Sequence, residues 1–284
     1  MVRKGPKTAK RTASKKLPKP TSIELVDSLS DCPDEGCTIH AYVRAAAEYV
    51  RRSGELTDGQ KKAAQIRLSN ALARAFVLEM KTKLPEASDL IAGERKVAGA
   101  LRTVNADVSQ MHDLDGLRLA VELKPVNLAV GRAIWNRFGD IRTFAVNLHL
   151  KFPFCVVGGV LAIPTYEAVA SAKEIEEELA KLESDDEVTN SADGVDAIVE
   201  ARSSTGSRRK STTHLIGKAV SRLIRAGGRK TEGDAPHLLE GIAVVVYDPD
   251  TGTMDTNLPP AESGLRWNEF IDSVASAYRG RFES

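Results

Sequence analysis

A chain of 284 residues with 42% hydrophobic side chains and a formal net charge of +1 can bury a sizeable core, which excludes disorder as its general state. Its apolar runs fall short of the roughly eighteen residues a membrane span needs, and its first residues are Lys, Arg, Thr, Ser and Pro rather than an apolar leader. Three cysteines, an odd count, offer no disulfide framework; a cytoplasmic location and no membrane partner are expected.

Residues 1 to 20 hold eight basic residues and no acid, interrupted by Pro6, Pro18 and Pro20. Residues 1–22 therefore read as a disordered basic arm, and 23–284 as one domain with a charged, partly flexible insertion around 174–212. Cys32, Cys37 and His40 lie close together, but a fourth ligand is missing and the spacing is unusual for zinc. A helix is predicted from about Thr38 to Arg52. Thr57-Asp-Gly-Gln60 is a capping box that opens a second helix ending before Pro85, with Glu79 near its end.

The stretch from Asp107 to Lys124 reads as a β-hairpin with an acid on one strand and an acid-x-lysine on the other. Leu117, Leu119, Val121 and Leu123 alternate with Arg118, Ala120, Glu122 and Lys124. Side chains on a strand repeat with period 2, so Glu122 and Lys124 share a face about 6–7 Å apart. Asp113-Leu-Asp-Gly is turn chemistry. A tip at Leu114-Asp115 sets Asp107 opposite Glu122; a tip at Asp115-Gly116 sets it opposite Lys124. Either register gathers two carboxylates and an ammonium on one face. Two further acid-x-lysine triplets occur, at Glu79 and Glu94. The first falls on a helical pattern and the second precedes every candidate partner strand.

Asn127 is a candidate N-cap for a helix running to about Leu150, with Ile134, Phe138, Ile141, Phe144 and Leu148 as its apolar stripe and Arg132, Asn136, Asp140 and Arg142 opposite. Phe154 to Ile163 is uniformly apolar and reads as a buried central strand, as does Glu240 to Tyr247. Strand, hairpin strand, crossover helix and buried strand predict an α/β fold with a mixed central sheet flanked by helices. From about Tyr166 a helix is predicted to run into Glu174–Glu187, which holds eight acids and one lysine. Arg202 to Lys230 holds nine basic residues and no acid. Within it Leu215, Ile216, Val220, Leu223 and Ile224 mark one helix face, and Lys218, Arg222 and Arg225 another. A last helix places Trp267, Phe270, Ile271, Val274 and Tyr278 at core spacing.

On Asp107, Glu122-Leu123-Lys124, the helix after them and the strand at Phe154 to Ile163, the sequence resembles the PD-(D/E)xK nuclease superfamily, most of all a type II restriction endonuclease. The resemblance covers roughly residues 60 to 170, with Gly241 to Tyr247 a continuation. It departs from the motif's name, because Asn105-Ala106 precede the acid where a proline is often written. It implies a restriction-endonuclease-like core, usually in a homodimer, with Asp107 and Glu122 binding Mg²⁺ and Lys124 orienting or activating the attacking water. Two carboxylates plus the Leu123 carbonyl suffice as protein ligands for a cation that keeps several waters. Glu79 is a possible third acid.

The expectation is a Mg²⁺-dependent endodeoxyribonuclease that recognises a specific double-stranded sequence and leaves 5′-phosphate and 3′-hydroxyl ends. Arg208, Arg209, Lys210, Lys218, Arg222 and Arg225 are the candidate DNA contacts. The alternatives are a structure-selective repair or recombination nuclease on the same site, and a non-catalytic DNA-binding protein whose acidic hairpin is surface decoration.

Overall fold

The structure, a computed structural model, describes residues 36–169 and 208–283. The basic arm, the acidic run and residues 202–207 lie outside the described residues, as does Cys32. Thr38 caps helix α1 (Ile39–Arg52) by accepting the Ala41 N–H at 3.2 Å. The predicted capping box forms at α2 (Asp58–Lys83): Thr57 and Gln60 satisfy each other's main-chain N–H groups, and Pro85 follows the helix end. Then come β1 (Ile91–Ala98), β2 (Thr103–His112), β3 (Gly116–Pro125), α3 (Val130–His149), β4 (Val156–Pro164) and β5 (Tyr166–Val169). From residue 208 onward come β6 (Arg208–Ser211), α4 (Thr213–Leu223), β7 (Gly241–Asp248), β8 (Thr253–Met254) and α5 (Trp267–Phe282).

Six strands form one mixed sheet in the order β1-β2-β3-β4-β7-β8. β1, β2 and β3 are an antiparallel meander, β3, β4 and β7 run parallel, and β8 pairs antiparallel at the edge. Helix α3 is the crossover a parallel pair requires between β3 and β4. One face of the sheet carries α1, α2 and α5, where Tyr42, Phe76 and Phe270 close over Val121, Val160 and Val245. The other carries α3 and α4, where Ile134, Ile141, Leu148 and Ile216 close over Ala120, Leu161 and Val244. β4 and the first seven residues of β7 are buried, because helices cover both faces. Each fully buried Val, Leu or Phe side chain contributes about 1.5–3 kcal/mol.

Several local expectations are corrected. The alternation of β3 breaks at Arg118, where the register with β2 shifts, so Leu117 packs towards α3 while Leu119, Val121 and Leu123 pack towards α2. The N-cap of α3 is Ala129, in the left-handed region at φ 52°, and not Asn127. Asn127 accepts the Tyr247 hydroxyl at 2.7 Å, and the buried Glu167 carboxylate accepts the Val130 N–H at 2.6 Å. Glu167 thus places a negative charge at the helix N-terminus. Residues 166–169 are a strand paired with β6 rather than the start of a helix. β1 was not foreseen as a strand, and it puts Glu94 inside the sheet rather than ahead of it. Cys37 is disulfide-bonded, against the expectation from the cysteine count, and Cys155 is a buried free thiol.

Candidate functional site

The hairpin resolves the two registers left open. Val108 pairs with Val121, and continuing that register by one residue sets Asp107 opposite Glu122. The tip is a three-residue loop, Asp113 to Asp115, with the Arg118 bulge absorbing the difference. His112 Nδ1 accepts the Leu114 and Asp115 N–H groups there, and Asp115 pairs with Arg118, so Asp115 is held within the turn.

The β2–β3 ladder stops at Val108, and a side chain replaces the main chain at the next position. Asp107 Oδ2 accepts the Leu123 N–H at 2.6 Å. On the other side of Asp107, β1 inserts an extra residue: Ala92 pairs with Val108 and Arg95 with Ala106, leaving Gly93 and Glu94 against Asp107 alone. Gly93 takes φ 123°, a backbone conformation glycine alone adopts readily. Bulges bend strands and re-aim side chains. Here Ala106 and Val108 pack into opposite layers, and Asp107 sits at the switch.

Glu122 is 7% exposed and forms an ion pair with Lys124 through Oε1, while its Oε2 is buried without a hydrogen-bond partner among the described residues. Burial raises its carboxyl to about 7; Lys124 opposes the rise, and the charges of Asp107 and Asp140 add to it. Burial also raises Asp107, against the Leu123 N–H and Lys124 and with the help of Glu94. The three residues singled out in the sequence are therefore brought together, and two more acids act on them.

Asp140 and Glu94 were not foreseen as site residues. Asp140 belongs to α3, is paired with Arg137 at 3.0 Å, and its charge is felt at Glu122 because α3 packs on the sheet beside it. That approach depends on Gly159, the register partner of Glu122 on β4: a Cβ there would lie 2.6 Å from Ile141 Cγ2. A crossover helix placed over a glycine-bearing strand is the signal that could have found Asp140. Glu94 carried no such signal, since its bulge interrupts the alternation that marks a strand.

Glu79 is not brought to the acids. It accepts the Trp267 Nε1–H at 2.7 Å, and burial raises its carboxyl against that bond, the charge of His40 and the Ile39 N–H. It ties α2 to α1 and α5, on the face of the sheet opposite Glu122. Among the described residues no three His, Cys, Asp or Glu side chains converge as a metal cage. The oxygen donors at this place are the two carboxylates with the adjoining main chain. An unpartnered buried carboxylate oxygen beside a second carboxylate fits a hard divalent cation.

The candidate DNA contacts divide. Arg209 is committed to Asp250 and stacks on Tyr166 at 4.3 Å, and Lys210 is half-buried near Glu167. Arg208 opens β6. Lys218 and Arg225 are exposed, and Arg222 stacks over Trp135 of α3 at 4.2 Å. Helix α4 packs on α3 on the same side of the sheet as Glu122. Comparison of the chain with protein-family models, with curated proteins and with solved structures finds no match in any of the three. Among the described residues no helix is long and apolar enough to cross a membrane.

Proposed function

We propose that the chain is a Mg²⁺-dependent endodeoxyribonuclease of the type II restriction kind, a member of the PD-(D/E)xK superfamily acting as a homodimer on double-stranded DNA. The observation that carries this reading is the meeting of Asp107, Glu122 and Lys124 where β2 parts from β3, with both carboxyls raised by burial and one oxygen of Glu122 left unpartnered. The meander β1–β2–β3 followed by a crossover helix and a parallel strand agrees with the core that the resemblance implies.

Asp107 and Glu122 would hold Mg²⁺, which when bound polarises a phosphate oxygen and lowers the pKa of a coordinated water. Lys124, tethered to Glu122, points an ammonium to the same place, where it can orient the attacking water and stabilise charge growing on the phosphate. The Leu123 N–H fixes the Asp107 carboxylate, so this acid needs no reorganisation as charge develops. Lys218 and Arg222 on α4 and Arg225 in the turn that follows it lie above the same layer and would follow the phosphate backbone.

The test is cleavage of unmethylated plasmid and phage DNA with Mg²⁺, beside chelator and Glu122→Gln controls. Discrete fragments abolished by both controls are expected, and sequencing their ends gives the site. Cleavage confined to branched or flapped substrates would move the reading to a structure-selective nuclease. Absence of cleavage on every substrate, with DNA binding retained, would leave a binding protein.

A further inference from the structure

At the other end of β3, about 16 Å from Glu122 by strand rise, the hairpin tip meets the ends of α3 and α5 around a cavity of about 430 Å³. Its walls include Arg118, Lys151 and Arg281 with Phe152, Phe154 and Phe282. We infer that this cavity is a second, metal-independent site that takes a nucleotide monophosphate, its base against the phenyl rings and its phosphate on Lys151.

Charge is the first argument. Among the described residues Asp115 is the one carboxylate in the wall, and it is engaged by Arg118. Arg281 of the wall and Arg229 behind it close on the single carboxylate of Glu240 at 2.7 and 2.8 Å, so two guanidinia share one counter-charge. Arg229 Nε has no hydrogen-bond partner among the described residues. Arg229 also donates to the Pro153 carbonyl at 3.1 Å and Arg281 to the Cys155 carbonyl at 2.9 Å, which fixes the positive charge against the lining. Lys151 is exposed, and among the described residues it makes no ion pair; its ammonium lies 5.5 Å from the centre of the Phe152 ring. A ligand entering here meets a net positive wall with one uncommitted ammonium at its mouth.

Shape and surface are the second argument. Phe154 is 56% exposed and so presents an open ring face at the cavity, and Arg118 already stacks on Phe282 at 5.0 Å. An inorganic anion would use the cations alone, whereas a nucleobase also offers a flat face to the exposed Phe154 ring. Every base has a π-face, so stacking on an aromatic side chain does not depend on which base is bound. The volume lies within the roughly 300–1,000 Å³ of small-ligand pockets, enough for a single nucleotide. The nucleotide could be free or the 5′-phosphorylated end of a strand, and the two sources are separated below.

The test is calorimetric titration of the full chain in chelator, so that the acidic hairpin is idle and failure here says nothing about the nuclease reading. The probes are dAMP, deoxyadenosine, inorganic phosphate, and one oligonucleotide with and without a 5′-phosphate. dAMP is expected to bind at least about tenfold more tightly than deoxyadenosine or phosphate, and Lys151→Glu and Phe154→Ala each to weaken it about tenfold. Both variants change exposed side chains, and unchanged circular dichroism and melting would confirm their fold. A 5′-phosphate preference of the oligonucleotide that Lys151→Glu removes identifies the strand end as the ligand; binding of dAMP without that preference identifies the free nucleotide. No dAMP binding, binding unchanged by both variants, or phosphate binding as tightly as dAMP would overturn the site.

Discussion

Glu122 and Gly159 are register partners on adjacent parallel strands, and the missing side chain of Gly159 makes room for the helix that crosses beside Glu122. Ile141 of α3 sits where a Gly159 side chain would be, which seats the helix on the sheet and carries Asp140 towards the Glu122 carboxylate. Gly159→Ala is expected to cost about 1–3 kcal/mol by overpacking. It should also weaken divalent-ion binding, because Ile141 and α3 must lift. Denaturation curves and Mn²⁺ titration of the variant check both effects. A variant as stable as the parent that binds the ion equally well would contradict this account.

Asp107 and Lys124 are predicted to fail in different ways. Asp107→Asn keeps an oxygen to accept the Leu123 N–H but loses the charge, so it should fold normally and bind Mn²⁺ at least about tenfold more weakly. Lys124→Met removes an ammonium from beside Glu122 and leaves the carboxylates in place. It should retain ion binding and lose cleavage by about 10²–10³-fold. Parallel ion titrations and single-turnover rates separate the two.

The raised Glu122 carboxyl, at about 7 through burial, sets a pH dependence whose sign can be worked out. Between its unfolded value near 4.5 and about 7 the native state holds a proton that the unfolded chain has released. Stability therefore falls as pH rises through that window. Glu122→Gln should accordingly be more stable than the parent at pH 8, by about 1–3 kcal/mol, and equal to it below pH 4. Affinity for the ion should run the other way, rising from pH 6 to 8 as the proton leaves. Melting curves across pH, with and without Mn²⁺, test the crossing.

Glu240 predicts the opposite acid behaviour. Burial alone would raise its carboxyl, but the bond to His149, the charge of Arg281 and the Val157 N–H override it and hold it down at about 2. Its contribution is present above about pH 4.5 and is lost as pH falls towards 2. Glu240→Gln strands Arg229 and Arg281 without their counter-charge, and should cost about 3–5 kcal/mol at neutral pH. The difference between variant and parent should shrink on acidification, which urea titrations at pH 7 and pH 3 can read.

Of the basic candidates, Lys218 and Arg225 should behave as phosphate contacts. Each replaced by Ala is expected to lower the slope of log affinity against log salt by about one. Arg209→Ala should instead loosen the β5–β6 ribbon, since its guanidinium is held by Asp250 and Tyr166. Salt-dependent DNA binding and thermal melting distinguish the two outcomes.

The amino-acid pattern alone determined the mixed α/β sheet, the helix from about Thr38 and the capping box at Thr57, the two buried strands, and the grouping of Asp107 with Glu122 and Lys124. All of these rest on local periodicity or on turn chemistry, which act over a few residues and are written in neighbouring positions. Where the local rule broke, at the Arg118 and Gly93-Glu94 bulges, the pattern misled: Leu117 went to the other layer, and β1 passed unseen. What only the tertiary structure decided were relationships across layers. Asp140 comes to Glu122 through a glycine on another strand, Glu79 is drawn away to Trp267, Glu167 caps a helix 37 residues upstream, and Glu240 gathers two distant arginines. Each depends on how closely packed elements approach one another, and close packing is a property of the assembled core that no single segment carries.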